Sequence, residues 1–142
     1  MKKIFLFVVT AFFVANYSSA QDIKSKDVPA VVKNALAKKY PKAAKVSWEK
    51  EKGNYEANWG GKSGEDTSVQ FTPAGDFVEE VNAISVSQLP SKVADYVKAN
   101  YKGAKISEAG KVTDAKGKKM FEAEVKHKDL LFDESGNFLK VD

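Results

Sequence analysis

Phe71-Thr72-Pro73-Ala74-Gly75-Asp76-Phe77 and Phe132-Asp133-Glu134-Ser135-Gly136-Asn137-Phe138 carry one pattern, 61 residues apart. Each has two phenylalanines around a turn whose glycine stands two places before the second. Working outward, Val28-Pro29 opens a stretch ending at Tyr40, and Leu89-Pro90 opens one ending at Tyr101, again 61 apart. Lys45-Val46 is echoed by Lys105-Ile106, one residue out of register, and Tyr55-Glu56-Ala57 by Phe121-Glu122-Ala123. Matching offsets at both ends, with small insertions between, predict two copies of one unit.

Each unit reads as a helix followed by strands. Val28, Val31, Val32, Ala35, Leu36 and Tyr40 recur at helical spacing, as do Leu89, Val93, Tyr96, Val97 and Tyr101. Asp27 and Ser87 are the expected N-caps, with Pro29 in the first turn, where a missing N–H costs little. Pro41 stops the first helix and Gly103 follows the second. Both apolar stripes read as core-facing, with a partner-binding helix face as the alternative.

After each helix the period becomes 2. Val46 and Trp48 alternate with Lys45, Ser47 and Glu49; Tyr55, Ala57 and Trp59 alternate with Glu56 and Asn58; Val69 and Phe71 alternate with Ser68 and Gln70. The second unit repeats this with Ile106, then Phe121, Ala123 and Val125, then Leu130 and Phe132, then Phe138 to Val141. Such alternation predicts antiparallel strands with one apolar and one polar face. The expectation is an α+β domain of two tandem α-β-β-β-β repeats: four strands per unit, eight in one sheet, helices packed on the apolar face. The polar face is then open and carries Lys45, Glu49, Glu56, Asn58, Gln70, Glu122, Glu124 and Lys126. Trp48, Tyr55 and Trp59 fall on the apolar phase, which favours the core. Left exposed at a sheet edge, they become anchors for a partner.

The N-terminus differs from the rest. Lys2 and Lys3 precede an apolar run, Ile4 to Ala15, broken only by Thr10. Small residues, Ser18 and Ala20, then stand where an export peptidase needs them. Residues 1–20 therefore read as a signal peptide cleaved after Ala20, too short to span a bilayer as a helix. No cysteine follows to carry a lipid. Residues 21–27 are a lead, 28–84 the first repeat and 85–142 the second, in one compact domain. The chain is expected in the periplasm or outside the cell, with no stable membrane insertion once the signal is removed.

Composition excludes more than it selects. The 142 residues contain no cysteine and one histidine, which rules out disulfides, zinc–thiolate sites and multi-imidazole metal centres. The net charge of +4 includes the two lysines of the leader. The remaining charge is small, and acids interleave with the lysines, so no basic field for nucleic acid is expected. Gly61-Lys62-Ser63 lacks the earlier glycine of a phosphate loop, because Glu56 stands there. His127 sits between Lys126 and Lys128 with no serine in that stretch, so no nucleophile–base pair emerges. Glu122 and Glu124, two apart on a strand, share a face and could bind a cation or simply be solvated. The turn Asp133 to Asn137 lacks calcium-loop spacing.

The pattern Val28-Pro…Val…Tyr40-Pro-Lys-Ala…Val46-x-Trp48-Glu-Lys…Gly53-Asn-Tyr-Glu-Ala…Phe71-x-x-x-Gly-x-Phe77, repeated from Leu89-Pro to Phe132-Asp-x-x-Gly-Asn, resembles the PepSY-like, β-lactamase-inhibitor-like exported proteins. The resemblance covers roughly residues 27–142. It implies a curved antiparallel sheet backed by helices, no enzymatic activity and no cofactor. It also implies that the open sheet face and loops dock a protein or peptide, possible inhibition included. No inhibitory loop residue matches position by position. The expectation is a non-enzymatic binding module for an envelope protein or peptide. Its candidate contacts are Trp48, Tyr55, Trp59, Glu49, Glu56, Asn58, Gln70, Glu122, Glu124 and Lys126. The alternative is an envelope protein that binds a small molecule or cation.

Overall fold

The computed structural model describes residues 20–142. The leader, apart from Ala20, lies outside the described residues, and with it the export-signal reading. The elements are β1 (Gln21–Ile23), α1 (Ala30–Lys39), β2 (Ser47–Glu51), β3 (Asn54–Trp59), β4 (Thr67–Phe71), β5 (Phe77–Ala83), α2 (Ser91–Asn100), β6 (Ala109–Asp114), β7 (Lys119–Glu124), β8 (Asp129–Phe132) and β9 (Phe138–Val141). All nine strands form one antiparallel sheet in chain order. It curves into a half-barrel, with the expected helix and four strands in each unit.

The ninth strand, β1, comes from the segment read as a lead. The repeat explains it. Ile23 pairs with Trp48, and its counterpart Ile84 donates its N–H to the Ala109 carbonyl at 2.9 Å. β1 therefore lies on β2 as the end of β5 lies on β6.

Each unit has its own core between helix and sheet. Val32 and Leu36 of α1 pack on Trp48, Ala57, Val69 and Phe71. Val93 and Val97 of α2 pack on Ala123, Val125, Leu130 and Phe132. Burying one such large apolar side chain stabilises by about 1.5–3 kcal/mol, and these two clusters fix the helices to one face. Tyr96 stacks on Phe138 at 4.4 Å and meets Phe132 edge-on at 5.5 Å.

The helix starts differ from expectation. Pro29 and Pro90 are themselves the N-caps, extended at ψ 141°. Proline's fixed φ suits that place, and the Pro29 carbonyl accepts from Val32 and Lys33. Asp27 instead ends a short 3-10 turn, Ser25–Asp27. Ser85 rather than Ser87 forms a capping box, with Gln88, around the matching turn Val86–Gln88.

The repeated turn pins each hairpin to its helix. Gly75 (φ 87°) and Gly136 (φ 82°) lie in the left-handed region. A methyl on Gly75 would stand 3.1 Å from Val31, and one on Gly136 would stand 2.8 Å from Pro90. Glycine is required at both by conformation and by close approach. Asp133 holds its turn by accepting N–H bonds from Ser135 and Asn137, each at 2.9 Å.

Candidate functional site

On the strands, alternate residues turn away from the helices, and the register strings them into cross-strand rows. Asp22, Glu49, Glu56, Gln70, Glu79 and Asp114 form one unbroken row over β1 to β6. Ser47, Asn58, Ser68, Val81, Val112 and Met120 form a second, polar on the first unit and apolar on the next. Ala83, Gly110, Glu122, Leu131 and Lys140 form a third. Directly opposed residues in such rows lie about 5 Å apart, and like charges so placed repel. The first row sets Asp22 against Glu49, Glu49 against Glu56, and Glu79 against Asp114; Glu124 also faces Asp129.

Curvature makes this face concave and encloses a groove of about 340 Å³. Glu49, Glu51, Glu56, Glu65, Glu79, Glu108, Glu122, Glu124, Asp129 and Asp142 line it. Among the described residues, Lys52 is the one basic residue lining this groove. Lys52, in the β2–β3 turn, lies 3.6 Å from the Asp142 carboxylate beyond β9. That ion pair joins the β2–β3 turn to the end of β9 across the groove.

Polar groups hold the acidic row in place. Gln70 Nε2 donates to Glu56 at 3.1 Å and to Glu51 at 3.5 Å. Asn58 is only 3% exposed. Its amide donates to Glu49 at 3.4 Å, and its carbonyl oxygen accepts from Ser68. Burial, then the charges of Asp129, Glu79, Asp142 and Glu56, push Glu122 up to about 8. Burial likewise raises Glu49, Glu51, Glu79, Glu108 and Asp129, with neighbouring carboxylates adding to the shift. Asp142 is also pushed up by burial, but the hydrogen bond from Lys140 and the charge of Lys52 outweigh this and hold it low. Among the described residues, no three acidic or imidazole groups converge as a metal centre.

Of the residues singled out in the sequence, Glu49, Glu56, Asn58, Gln70, Glu122 and Glu124 come together on this face. Three others do not. Trp48 is buried in the first core, Trp59 packs on Tyr40 with ring centroids 5.3 Å apart, and Tyr55 packs against the same core. All three lie on the helix-covered side, where their apolar phase sends them. Lys126 sits with His127 in the two-residue β7–β8 turn, both with positive φ (53° and 59°), at the end of the strand rather than on its polar face. Lys45 also precedes its strand, in a turn with φ 55°.

Sequence reading missed Glu51, Lys52, Glu65, Glu79, Glu108, Asp129 and Asp142. For Glu51, Glu79 and Asp129 the signal was there, as period-2 extensions of the polar phase. Also missed was a small apolar cluster on the concave side: Val81, Val112, Met120 and Leu131.

The duplication allows the two faces to be compared within one chain. On the helix side, Val32 matches Val93, Tyr40 matches Tyr101, Ala57 matches Ala123, Val69 matches Leu130 and Phe71 matches Phe132. On the concave side, Glu49 matches Gly110, Glu51 matches Val112, Asn58 matches Glu124, Ser68 matches Asp129, Gln70 matches Leu131 and Glu79 matches Lys140. Only Glu56 and Glu122 recur among these strand positions, Glu56 opposite Gln70 and Glu122 opposite that residue's counterpart, Leu131. Packing kept one face alike, while the other diverged around that carboxylate.

Solved structures share the fold. A DUF2874 family protein from Bacteroides uniformis ATCC 8492 is 25% identical, covering 80% of this chain and 88% of that one, with a TM-score of 0.62. A protein from Bacteroides eggerthii DSM 20697, described as a "putative periplasmic" protein, is 24% identical over 81% and 88%, with a TM-score of 0.63. A BLIP-like protein from Bacteroides fragilis NCTC 9343 is 22% identical over 80% and 84%, with a TM-score of 0.57. No described helix is long and apolar enough to cross a membrane. A comparison with curated proteins found no match. The family model described as "Putative beta-lactamase-inhibitor-like, PepSY-like" matches residues 15–61 and 59–140, most of the sequence, so the chain belongs to the PepSY-like, β-lactamase-inhibitor-like family.

Proposed function

We propose that the protein is a non-enzymatic binding module of the cell envelope whose concave face takes a basic segment of a protein or peptide. The observation that carries this reading is the cross-strand acidic row from Asp22 to Asp114. Opposed carboxylates cost stability, so folding alone gives no reason for them. A row of positive side chains laid along the groove relieves that repulsion. The apolar cluster at Val112, Met120 and Leu131 offers a floor for the aliphatic stems of such side chains. The family description, "beta-lactamase-inhibitor-like", supports a binding role rather than turnover.

The test is fluorescence titration with an octalysine peptide, a neutral peptide of equal length and an octaglutamate. Saturable binding of octalysine alone is expected, weakening about tenfold or more as salt rises from low to high. Glu56→Gln with Glu122→Gln weakens it further. Equal binding of all three peptides, or none of octalysine, overturns the reading. Thermal stabilisation by a divalent cation or polyamine without peptide binding would favour the small-ligand alternative. Where the natural partner proves to be an enzyme, its activity with the module present decides inhibition.

A further inference from the structure

The two ends of the sheet are not equivalent. β5 carries a bulge at Val78, opposite Gln70/Phe71 of β4, and directly past it, from Glu79 to Ala83, its outer side pairs with β6. β9 carries the matching bulge at Leu139, opposite Leu131/Phe132 of β8, and Lys140 is the counterpart of Glu79. β9 ends the strand order, so β8 is its only partner among the described strands. Its apolar side chains show the difference. Leu139 is 40% and Val141 45% exposed, whereas their counterparts Val78 and Glu80 are half-buried. Among the described residues, β5 has its outer edge covered by an antiparallel neighbour, whereas β9, like β1 at the other end of the sheet, has an open edge.

The sequence of that edge says what fits it. Lys140, Val141 and Asp142 alternate basic, apolar, acidic, with the two charges on one face, joined at 2.7 Å. Read antiparallel against itself about Val141, the triplet is self-complementary. Val141 meets its copy, and Lys140 falls opposite Asp142 on both sides of the two-fold axis. We propose that β9 pairs with β9 of a second copy through Lys140-Val141-Asp142, forming an isologous dimer. Two-fold pairing uses the β9 edge of both copies, so this contact is isologous and closes at the dimer rather than growing into a fibre. The ladder is short, well below the size class of stable interfaces, so association is weak and rises with concentration. This inference is independent of what the groove binds.

Sedimentation equilibrium of the purified protein from about 10 μM to about 1 mM tests it. The expected result is a rise from protomer to dimer mass and no further. Lys140→Glu or Asp142→Lys alone sets like charges opposite each other and weakens association by about tenfold or more. The double swap, Lys140→Glu with Asp142→Lys, restores it to within about threefold. In the unchanged protein, concentration-dependent amide shifts confined to residues 138–142 report the same contact without any variant. A protomer mass throughout, larger polymers, or single variants that dimerise like the parent would overturn the proposal.

Discussion

Replacing Glu122 by glutamine should remove much of the protein's pH sensitivity. Glu122 lies on the concave face, on β7, between Gly110 and Leu131 in its row. Its carboxyl, at about 8 in the fold against an ordinary 4.5, holds its proton far more tightly when folded. The sign follows from linkage. A raised acid contributes stability that is fully present below about 4.5 and is lost as pH climbs through about 8. At about 1.4 kcal/mol per pH unit, the whole shift corresponds to about 5 kcal/mol, of which about 4 kcal/mol falls between pH 5 and pH 9. Glu49, Glu51, Glu79, Glu108 and Asp129 are shifted the same way and leave a residual slope of the same sign. Glutamine keeps the shape and the hydrogen-bonding capacity but cannot ionise. Urea unfolding of parent and Glu122→Gln at pH 5, 7 and 9 gives the comparison. The variant should gain on the parent by about 4 kcal/mol from the lowest to the highest pH, about 2.5 kcal/mol of it between pH 5 and pH 7. Parallel curves, with a gain below about 1 kcal/mol, would refute the claim that this carboxylate is buried against its neighbours.

Two further outcomes test the frame. Gly136→Ala should cost about 2 kcal/mol or more, because the new methyl meets Pro90 and the left-handed backbone is strained; Gly117→Ala, equally left-handed (φ 79°) but with open space around it, should cost only about 1 kcal/mol. Chemical denaturation of both variants separates the packing cost from the backbone cost. His127→Gly should stabilise by about 1 kcal/mol, because the β7–β8 turn holds two non-glycine residues at positive φ; unchanged thermal stability would argue against strain there.

Much of the frame was legible because helices and strands announce themselves by period. The helix from Ala30 to Lys39 and the strand phases of Trp48, Ala57, Val69 and Phe71 follow directly from spacing. β1 was hidden because three residues are too few to show a period, and because its partner strand lies beyond a helix. The equivalence of Glu56 with Glu122 was visible as a motif, but its position was not. The β2–β3 turn is only Lys52-Gly53, while residues 115–118 join β6 to β7, and the following loop makes up the difference. The groove was legible only in part. Alternation tells which residues share a face of one strand; it does not tell that the sheet bends until Lys52 reaches Asp142. Curvature accumulates from twist and bulges over many strands, and no local pattern encodes where distant carboxylates meet.

The internal duplication separates what the fold needs from what it does not. Had the concave face served only to hold the strands together, its two copies would face the same packing demands and would tolerate similar residues, as the helix side does. Instead Ser47, Asn58 and Ser68 of one unit run into Val81, Val112 and Met120 toward the other. The face is thus polar and acidic at one end and apolar at the other, with Glu122 next to the apolar end, where water is scarce and its charge is most costly. A half-buried, ionisable group beside opposed carboxylates is a poor choice for stability alone. The same arrangement suits a ligand that brings positive charge and an aliphatic stem together. Under the proposed reading, basic side chains occupy the row from Glu49 to Glu79 and lay their stems toward Met120 and Leu131. Binding then lowers the proton affinity of Glu122, so the octalysine complex should release protons, and the amount released should grow as the pH falls from 9 toward 7. Calorimetry in buffers of different ionisation enthalpy measures that release, and its absence in Glu122→Gln assigns it to this one carboxylate.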